Sequence, residues 1–371
     1  MARLNANVAR RTRFEIKSVM TKMATASVLA ATTLVIACWM SAKSAAAAQG
    51  IAVQTVVSPE PGEDLASPCQ YELTLFDPSR KVRTVWVIFD RGRDMLRYYG
   101  DPDVQAFAQR NDIGLVLAFN CSAQSEASHG DINVNPSRGL GRALLTALSQ
   151  FGRATNHTEL SSAGLILQGV SGAGVLVARF PEYVPDRVVA VVTTQPGQFD
   201  PVGIDTVNLS PRSASVPQLI IIGSADAITG TQRPYDYFRR HFDQAAPWTF
   251  VVQNETPHCC TINAKALVLK WLDAIVVQRV RPGSGLYGYI ESEPSRTTDC
   301  PPPFPPAVPL WCRATIDIWG GSNWSVKAAS TGEPRNARKG LFPAGWLPTR
   351  AFAKAWLAFV TAPSHPLTSL P

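Results

Sequence analysis

A serine enclosed by small residues follows directly on an apolar run. Residues 165–175 read Leu-Ile-Leu-Gln-Gly-Val-Ser-Gly-Ala-Gly-Val, with Ser171 at the centre of the glycine-rich part. Small neighbours permit a turn too sharp for larger side chains, between a buried strand and the start of a helix. The hydroxyl of Ser171 would be exposed on that turn, near the positive end of the helix, where it can act as a nucleophile.

An aspartate and a histidine follow two later strand-like runs. Asp226 comes just after the apolar residues 217–223, and His258 follows residues 248–252. A serine nucleophile needs a base within hydrogen-bond reach, and the base needs an acid that holds its tautomer. We therefore predict that Ser171 is the nucleophile, His258 the general base and Asp226 the orienting acid. Because open α/β sheets place ligands at the carboxyl ends of their strands, the three should meet at one edge.

Other residues are candidates for the same roles. Ser171 could be a structural serine in a glycine-rich turn, and Asp226 could cap a helix that begins in the residues after it. The alternative acids are Asp200 and Asp205, and the alternative histidines are His129, His157, His241 and His365. Only His258 follows a strand at the end of the predicted core. His129 lies in a polar loop, while His157 and His241 lie in or beside helical segments and are expected at the surface.

The order serine, acid, histidine, each after a strand, resembles the α/β-hydrolase superfamily over residues 70–280. The motif Gly-x-Ser-x-Ala departs from the usual Gly-x-Ser-x-Gly only at Ala173. The resemblance implies an oxyanion hole of two backbone N–H groups, one from Gly172 and one from the loop after residues 84–89. That loop reads Asp-Arg-Gly where relatives often have His-Gly, so we expect Arg91 to be the second donor, with Gly92 as the alternative.

No cofactor and no metal are expected for this chemistry. A zinc site at residues 258–260 (His-Cys-Cys) is disfavoured, because three consecutive residues do not readily converge on one ion.

The elements that must position these residues alternate along the chain. Apolar runs predict further strands at 84–89, 114–120 and 188–193, and helical periodicity predicts helices at 104–111, 139–151 and 264–277. This alternation predicts an α/β fold, a mostly parallel central sheet with helices on both faces. Residues 71–76 are predicted to form an edge strand, and residues 49–68 an N-terminal arm.

The basic charge of the chain is concentrated at its N-terminus. The formal net charge of the 371 residues is +7, of which residues 1–48 contribute +6. The nearly neutral remainder argues against a nucleic-acid partner. Residues 1–22 are basic, residues 24–39 apolar and residues 44–48 small, which predicts an export signal cleaved after Ala48. The alternatives are a lipoprotein anchored through Cys38 and an uncleaved anchor, and these are the only expected contacts with a membrane.

Six cysteines remain after the leader, an even number that suggests disulfides in an exported chain. They are Cys69, Cys121, Cys259, Cys260, Cys300 and Cys312. The easiest pair to imagine joins Cys300 to Cys312, and one of Cys259 and Cys260 is expected to anchor the loop of His258.

Beyond residue 280 the composition changes to proline and tryptophan. The predicted organisation is a leader at 1–48, a catalytic domain at 49–280 and an extension at 281–371, with a final helix at 351–360. The extension is expected to pack on or near the core. A partial cap over the site and a separate binding module are the alternatives.

Together these features predict an exported serine hydrolase, periplasmic or secreted, most simply a carboxylic ester hydrolase acting on a small or polymeric ester. A peptidase or acyltransferase would use the same three residues. A non-catalytic envelope binding protein of the same fold is the alternative from another class.

Overall fold

The computed structural model describes residues 50–65, 67–89, 95–121, 135–197, 199, 207–242, 246–258, 261–280, 312–319, 325–331 and 341–365. Several predictions concern residues outside these ranges: the leader 1–48 with Cys38, and Arg91, Gly92, His129, Asp200, Asp205, Cys259, Cys260 and Cys300.

Within the described ranges, eleven strands form one sheet. In chain order they are β1 (Ile51–Val57), β2 (Cys69–Leu75), β3 (Thr84–Phe89), β4 (Ile113–Phe119), β5 (Gly164–Ser171), β6 (Val188–Pro196), β7 (Gln218–Gly223), β8 (Trp248–Gln253), β9 (Cys312–Trp319), β10 (Ser325–Thr331) and β11 (Leu341–Leu347). Their order across the sheet is β1-β2-β4-β3-β5-β6-β7-β8-β11-β9-β10. Strands β3 to β8 run parallel, so their carboxyl ends share one edge.

Helices connect these strands. They are α1 (Leu96–Tyr99), α2 (Pro102–Arg110), α3 (Leu140–Thr155), α4 (Gly172–Tyr183), α5 (Pro211–Ala214), α6 (Gln232–Phe242), α7 (Lys265–Arg279) and α8 (Arg350–Val360). Short 3₁₀ turns lie at Pro136–Arg138, Thr158–Ser161 and Thr261–Ala264.

The core lies on both faces of the parallel strands. Trp86 and Ile88 of β3 pack in a cluster that includes side chains of α2 and α7. Val85 and Val87, which point to the other face, pack in a cluster that includes side chains of α3 and α4. A strand buried on both faces has a continuous apolar sequence. This is why β3, β4 and β7 can be recognised in the sequence as apolar runs. The predicted fold class, a mostly parallel sheet covered on both faces, is confirmed.

The N-terminal side of the sheet differs from the prediction. Residues 49–68 were expected to form an arm, but β1 lies within them and pairs antiparallel with β2 over seven residues. Consequently β2 is not an edge strand, since it lies between β1 and β4. Strand β1 alternates exposed and half-buried residues, and an edge strand with so little burial gives a weak signal in sequence.

Beyond residue 280, β9, β10 and β11 extend the sheet past β8 with antiparallel pairing. Strand β11 meets β8 where Gly345 lies opposite Thr249. A Cβ atom at Gly345 would lie 1.9 Å from the carbonyl oxygen of Trp248, and its φ of +111° also favours glycine. Helix α8 covers β8, and the indole N–H of Trp356 donates to the carbonyl of Phe250 (3.0 Å). Strand β11 and helix α8 are therefore packed against the strand that precedes His258.

Cys69 and Cys121 form a disulfide with Cα atoms 4.5 Å apart. The disulfide joins the first residue of β2 to a residue two positions after the end of β4. The two antiparallel strands already lie side by side there. The pairing of Cys300 with Cys312 stays a prediction, because Cys300 lies outside the described residues.

Candidate active site

The turn between β5 and α4 places Ser171 in a strained conformation. Its backbone has φ 55° and ψ −127°, a region that residues with a side chain rarely adopt. At Gly169, a Cβ atom would lie 2.2 Å from the carbonyl oxygen of Ala173, so only glycine fits there. The N–H of Gly197 donates to the carbonyl of Ser171 (2.7 Å), which ties the turn to the end of β6. These contacts hold a serine on a sharp, partly exposed bend.

Asp226 follows the end of β7, and its carboxylate accepts hydrogen bonds on both oxygens. Oδ1 accepts from the N–H groups of Ile228 and Thr229, each at 2.9 Å. Oδ2 accepts from the hydroxyl of Thr229 at 2.8 Å and from His258 at 2.7 Å. Asp226 therefore both caps the following turn and contacts the histidine, two roles that the sequence presented as alternatives. Thr229 was missed as a site residue, although a threonine three residues after an aspartate is a usual capping pattern.

The environment of Asp226 favours its charged form. Burial raises the pKa of this carboxyl. The hydrogen bonds from His258 and Thr229 together lower the pKa by more than burial raises it, so the net pKa lies below its ordinary value. The carboxylate is therefore ionised at neutral pH and faces the imidazole as an anion.

Contacts between two loops bring His258 to Asp226. The hydroxyl of Ser224 accepts a hydrogen bond from the N–H of Glu255 (2.7 Å), and the N–H of Ala225 donates to the carbonyl of Thr256 (3.0 Å). At Gly223, a Cβ atom would lie 2.3 Å from that same carbonyl oxygen. The loop after β8 can therefore lie directly on the loop after β7 only because residue 223 is glycine.

The three predicted residues are in contact in one chain of hydrogen bonds. His258 Nδ1 lies 2.7 Å from Asp226 Oδ2, and His258 Nε2 lies 3.0 Å from Ser171 Oγ. The side chain of Asp226 is 1% exposed, whereas that of His258 is 14% exposed. A carboxylate can only accept, so Nδ1 carries the proton and Nε2 is free to accept the proton of the serine. Asp226 can therefore orient the ring while Ser171 and His258 stay accessible.

One of the two predicted oxyanion donors can be located. Gly172 is the first residue of α4, so its N–H belongs to the group of helix N-terminal donors that have no carbonyl partner four residues earlier. The partial positive charge of the helix terminus adds to this donor. Arg91 and Gly92 lie outside the described residues, and the second donor stays a prediction.

The other described histidines occupy structural positions. His157 and His241 were expected at the surface, but both are buried, with 7% and 0% exposure. His157 contacts Glu159 and the carbonyl of Pro78, and His241 contacts the carbonyl of Tyr237 and the N–H of Leu209. Each lies close to backbone polar groups that need partners, which explains its burial. His365 contacts the carbonyl of Phe359.

No cluster of histidine, cysteine and acidic side chains suited to a metal ion is found among the described residues. Over the same ranges, none of the helices is both long and apolar enough to span a bilayer.

Comparisons with known proteins give matches among solved structures only. No family model matches the chain, and no curated protein does. The matching structures include an α/β serine hydrolase without a lid from Xanthomonas campestris, at 17% identity, over 64% of this chain and 97% of that chain, with a TM-score of 0.40. A ferulic acid esterase matches at 12% identity over 61% and 97%, with a TM-score of 0.46.

An S-formylglutathione hydrolase from Agrobacterium tumefaciens matches at 12% identity over 63% of this chain and 97% of that chain, with a TM-score of 0.45. At these values the likeness concerns the fold alone and says nothing about activity. The assignment of the fold therefore rests on the strand order of this chain and on the turn at Ser171.

Proposed function

We propose that this chain, a mostly parallel sheet with helices on both faces, is an exported serine hydrolase of the α/β-hydrolase superfamily, in particular a carboxylic ester hydrolase. The observation that carries the proposal is the chain of hydrogen bonds from Asp226 through His258 to Ser171, which ends on a serine held at φ 55°. Backbone strain of this kind persists where the surrounding structure imposes it, and it is common at catalytic sites.

In the proposed reaction, Ser171 Oγ attacks the carbonyl carbon of the substrate. His258 Nε2 takes the hydroxyl proton as the new C–O bond forms, and the imidazolium is stabilised by the anionic Asp226. The tetrahedral intermediate collapses when His258 returns the proton to the leaving alkoxide. This leaves an acyl group on Ser171, which a water activated by the same histidine then hydrolyses.

The negative charge of the tetrahedral intermediate needs donors that are already in place. The N–H of Gly172 is proposed as the first donor, since α4 begins immediately after the nucleophile. The predicted second donor is the N–H of Arg91. Removal of one such donor typically costs a factor of about 100 to 1,000 in kcat, so both are required for efficient turnover.

An ester is proposed because its leaving group asks less of the site than an amide does. An alkoxide is a good enough leaving group to depart while the proton from His258 is still being transferred, whereas an amine leaves only after its nitrogen has received that proton. The proposed substrate is a small or polymeric ester, and export is proposed from the leader at residues 1–48.

The test is covalent labelling of the purified protein with a fluorophosphonate, together with hydrolysis of short nitrophenyl esters. We expect wild type to be labelled and to turn over ester, and Ser171→Ala to lose both while its circular dichroism is unchanged. The matched control is Ser161→Ala, an exposed serine at the opposite end of β5 whose hydroxyl donates to the carbonyl of Thr158, and this variant should keep its label. Labelling that persists in Ser171→Ala would point to another nucleophile. A wild type that neither reacts nor hydrolyses any ester would favour the binding protein.

A further inference from the structure

The loop that carries His258 is hydrogen-bonded at both of its ends to the last residue of α8 or to the segment that follows α8. At the first end, the buried side chain of Asn254 donates to the carbonyls of Val360 (3.1 Å) and Ala362 (2.6 Å). The carbonyl of Asn254 accepts from the N–H of His365 (3.3 Å). Asn254 is 3% exposed and directly follows β8, four residues before His258.

At the second end of the loop, Asn263 contacts the same segment. Its side-chain amide donates to the carbonyl of His365 (3.4 Å). Asn254 and Asn263 are nine residues apart in sequence with His258 between them, so one short stretch of chain spans the loop.

The segment itself is fixed to the end of α8. The ring of His365 stacks on that of Phe359, with centroids 4.0 Å apart, and His365 Nε2 lies 2.9 Å from the carbonyl of Phe359. Helix α8 is anchored in turn by Trp356, whose indole donates to Phe250 of β8. Residues 361–365 are therefore a short connection with defined contacts on both sides, which we name the strap.

We propose that the strap is a positioning device for His258, and that Asn254 is the positioning residue through which it acts. The proposal rests on the proposed function, because it assigns the strap to the general base of that reaction. A loop fixed at both ends samples fewer conformations, and hence holds the imidazole within reach of Ser171 and Asp226 at less entropic cost. The C-terminal extension thus supplies a part of the site that the 49–280 region does not contain.

The first test replaces the donors of Asn254. In Asn254→Asp the side chain keeps its size, but a carboxylate faces the carbonyls of Val360 and Ala362 in place of an amide. We expect faster hydrogen exchange of the backbone amides in residues 254–263, a fall in kcat of at least about tenfold, and a KM within about twofold of wild type. A displacement near 1 Å at a reacting group costs on the order of 100-fold in rate.

A second readout separates positioning of the histidine from a general loss of structure. When His258 is held less firmly beside Ser171, the histidine is less often in position to accept the serine proton. The second-order rate constant for fluorophosphonate labelling of the folded protein should then fall in Asn254→Asp, together with kcat. A variant that is merely less stable keeps the wild-type labelling rate in its folded fraction.

Two further variants keep the test decisive if Asn254→Asp does not fold. A stop codon after Ser364 removes His365 and its contacts with Asn254 and Asn263, but leaves the bonds to Val360 and Ala362, so a smaller change in the same direction is expected. The matched control is Thr361→Ala, an exposed strap residue whose hydroxyl donates to the carbonyl of Leu357 in α8. It should leave exchange and kcat unchanged.

The outcomes distinguish this inference from the proposed function. Faster exchange of the loop with a reduced kcat supports the strap. Unchanged exchange in both Asn254→Asp and the truncated chain overturns it, whether or not the enzyme is active. Faster exchange with wild-type kcat and labelling rate shows that the strap does not position His258. A wild type that hydrolyses no ester and takes no fluorophosphonate label refutes the proposed function, and the positioning of a general base with it.

Discussion

The substitution Asp226→Asn tests the assignment of the acid most sharply, because the structure fixes how the new amide would sit. Oδ1 of Asp226 accepts from two backbone N–H groups, those of Ile228 and Thr229, so the amide oxygen of asparagine must take that position. The NH₂ group then lies at the position of Oδ2 and faces His258 Nδ1. Since NH₂ can only donate, it favours the imidazole tautomer with the proton on Nε2.

That tautomer presents an N–H to Ser171 Oγ and cannot accept its proton. The expected loss in kcat is therefore about 10⁴-fold, the magnitude seen when this acid is replaced by an amide in a serine protease triad. At 1.36 kcal/mol per factor of ten, it corresponds to about 5 kcal/mol of transition-state stabilisation. The fold should survive, because the bonds at Oδ1 are retained. We expect the free energy of unfolding to fall by about 1–3 kcal/mol, the cost of a lost charge-assisted hydrogen bond.

The assay is hydrolysis of a short nitrophenyl ester under saturating substrate, with urea unfolding as the measure of stability. The matched control is Thr229→Val, which removes the hydroxyl bond to Oδ2 but keeps the carboxylate and its contact with His258. It should lose less than about tenfold in kcat. If Asp226→Asn keeps more than a tenth of wild-type kcat, Asp226 is not the orienting acid. Asp200 and Asp205 would then be the candidates to replace next.

Two further predictions concern stability and processing. Burial lowers the pKa of His241, with a smaller opposing effect from its bond to Tyr237 and a further lowering by Arg240, so the folded state holds this ring neutral. The unfolded chain binds more protons just below the ordinary histidine pKa of about 6.5. The free energy of unfolding should therefore decrease as pH falls through that range, by up to about 1.4 kcal/mol per pH unit for this group. Urea titrations at pH 7 and pH 5 should show a smaller decrease in His241→Phe than in wild type, and equal decreases would exclude His241 as a cause. For processing, mass spectrometry of protein recovered outside the cytoplasm should give an N-terminus at Gln49 and a Cys69–Cys121 disulfide. An intact leader with free thiols would contradict export. A lipid on Cys38 would establish the lipoprotein.

The sequence alone was sufficient for the parts of the site that depend on local chemistry. The glycine at 169, just before the turn of Ser171, is recognisable in the sequence because the sharp turn excludes a side chain there: a Cβ atom at 169 would collide with the carbonyl of Ala173. The meeting of Ser171, Asp226 and His258 was predictable because each follows a parallel strand, and parallel strands end at one edge. Once the end of each strand is located in the sequence, the residue that follows it can be placed at that edge of the sheet without any knowledge of distant contacts.

The tertiary structure decided what depends on segments far apart in the chain. Burial of His157 and His241 could not be deduced, because helical periodicity does not record which backbone groups need a partner. The dual role of Asp226 was also open, since the sequence shows a capping pattern but not the loop that brings His258 onto the second oxygen.

The extension beyond residue 280 is the clearest case. Its strand β11 and helix α8 pack against β8, and residues 361–365 bind Asn254, more than a hundred residues earlier in the chain. An asparagine after a strand reads as an ordinary loop residue, because nothing nearby in sequence says which carbonyls its amide will meet. Local pattern records which face of an element is buried, whereas only the folded chain determines what covers it.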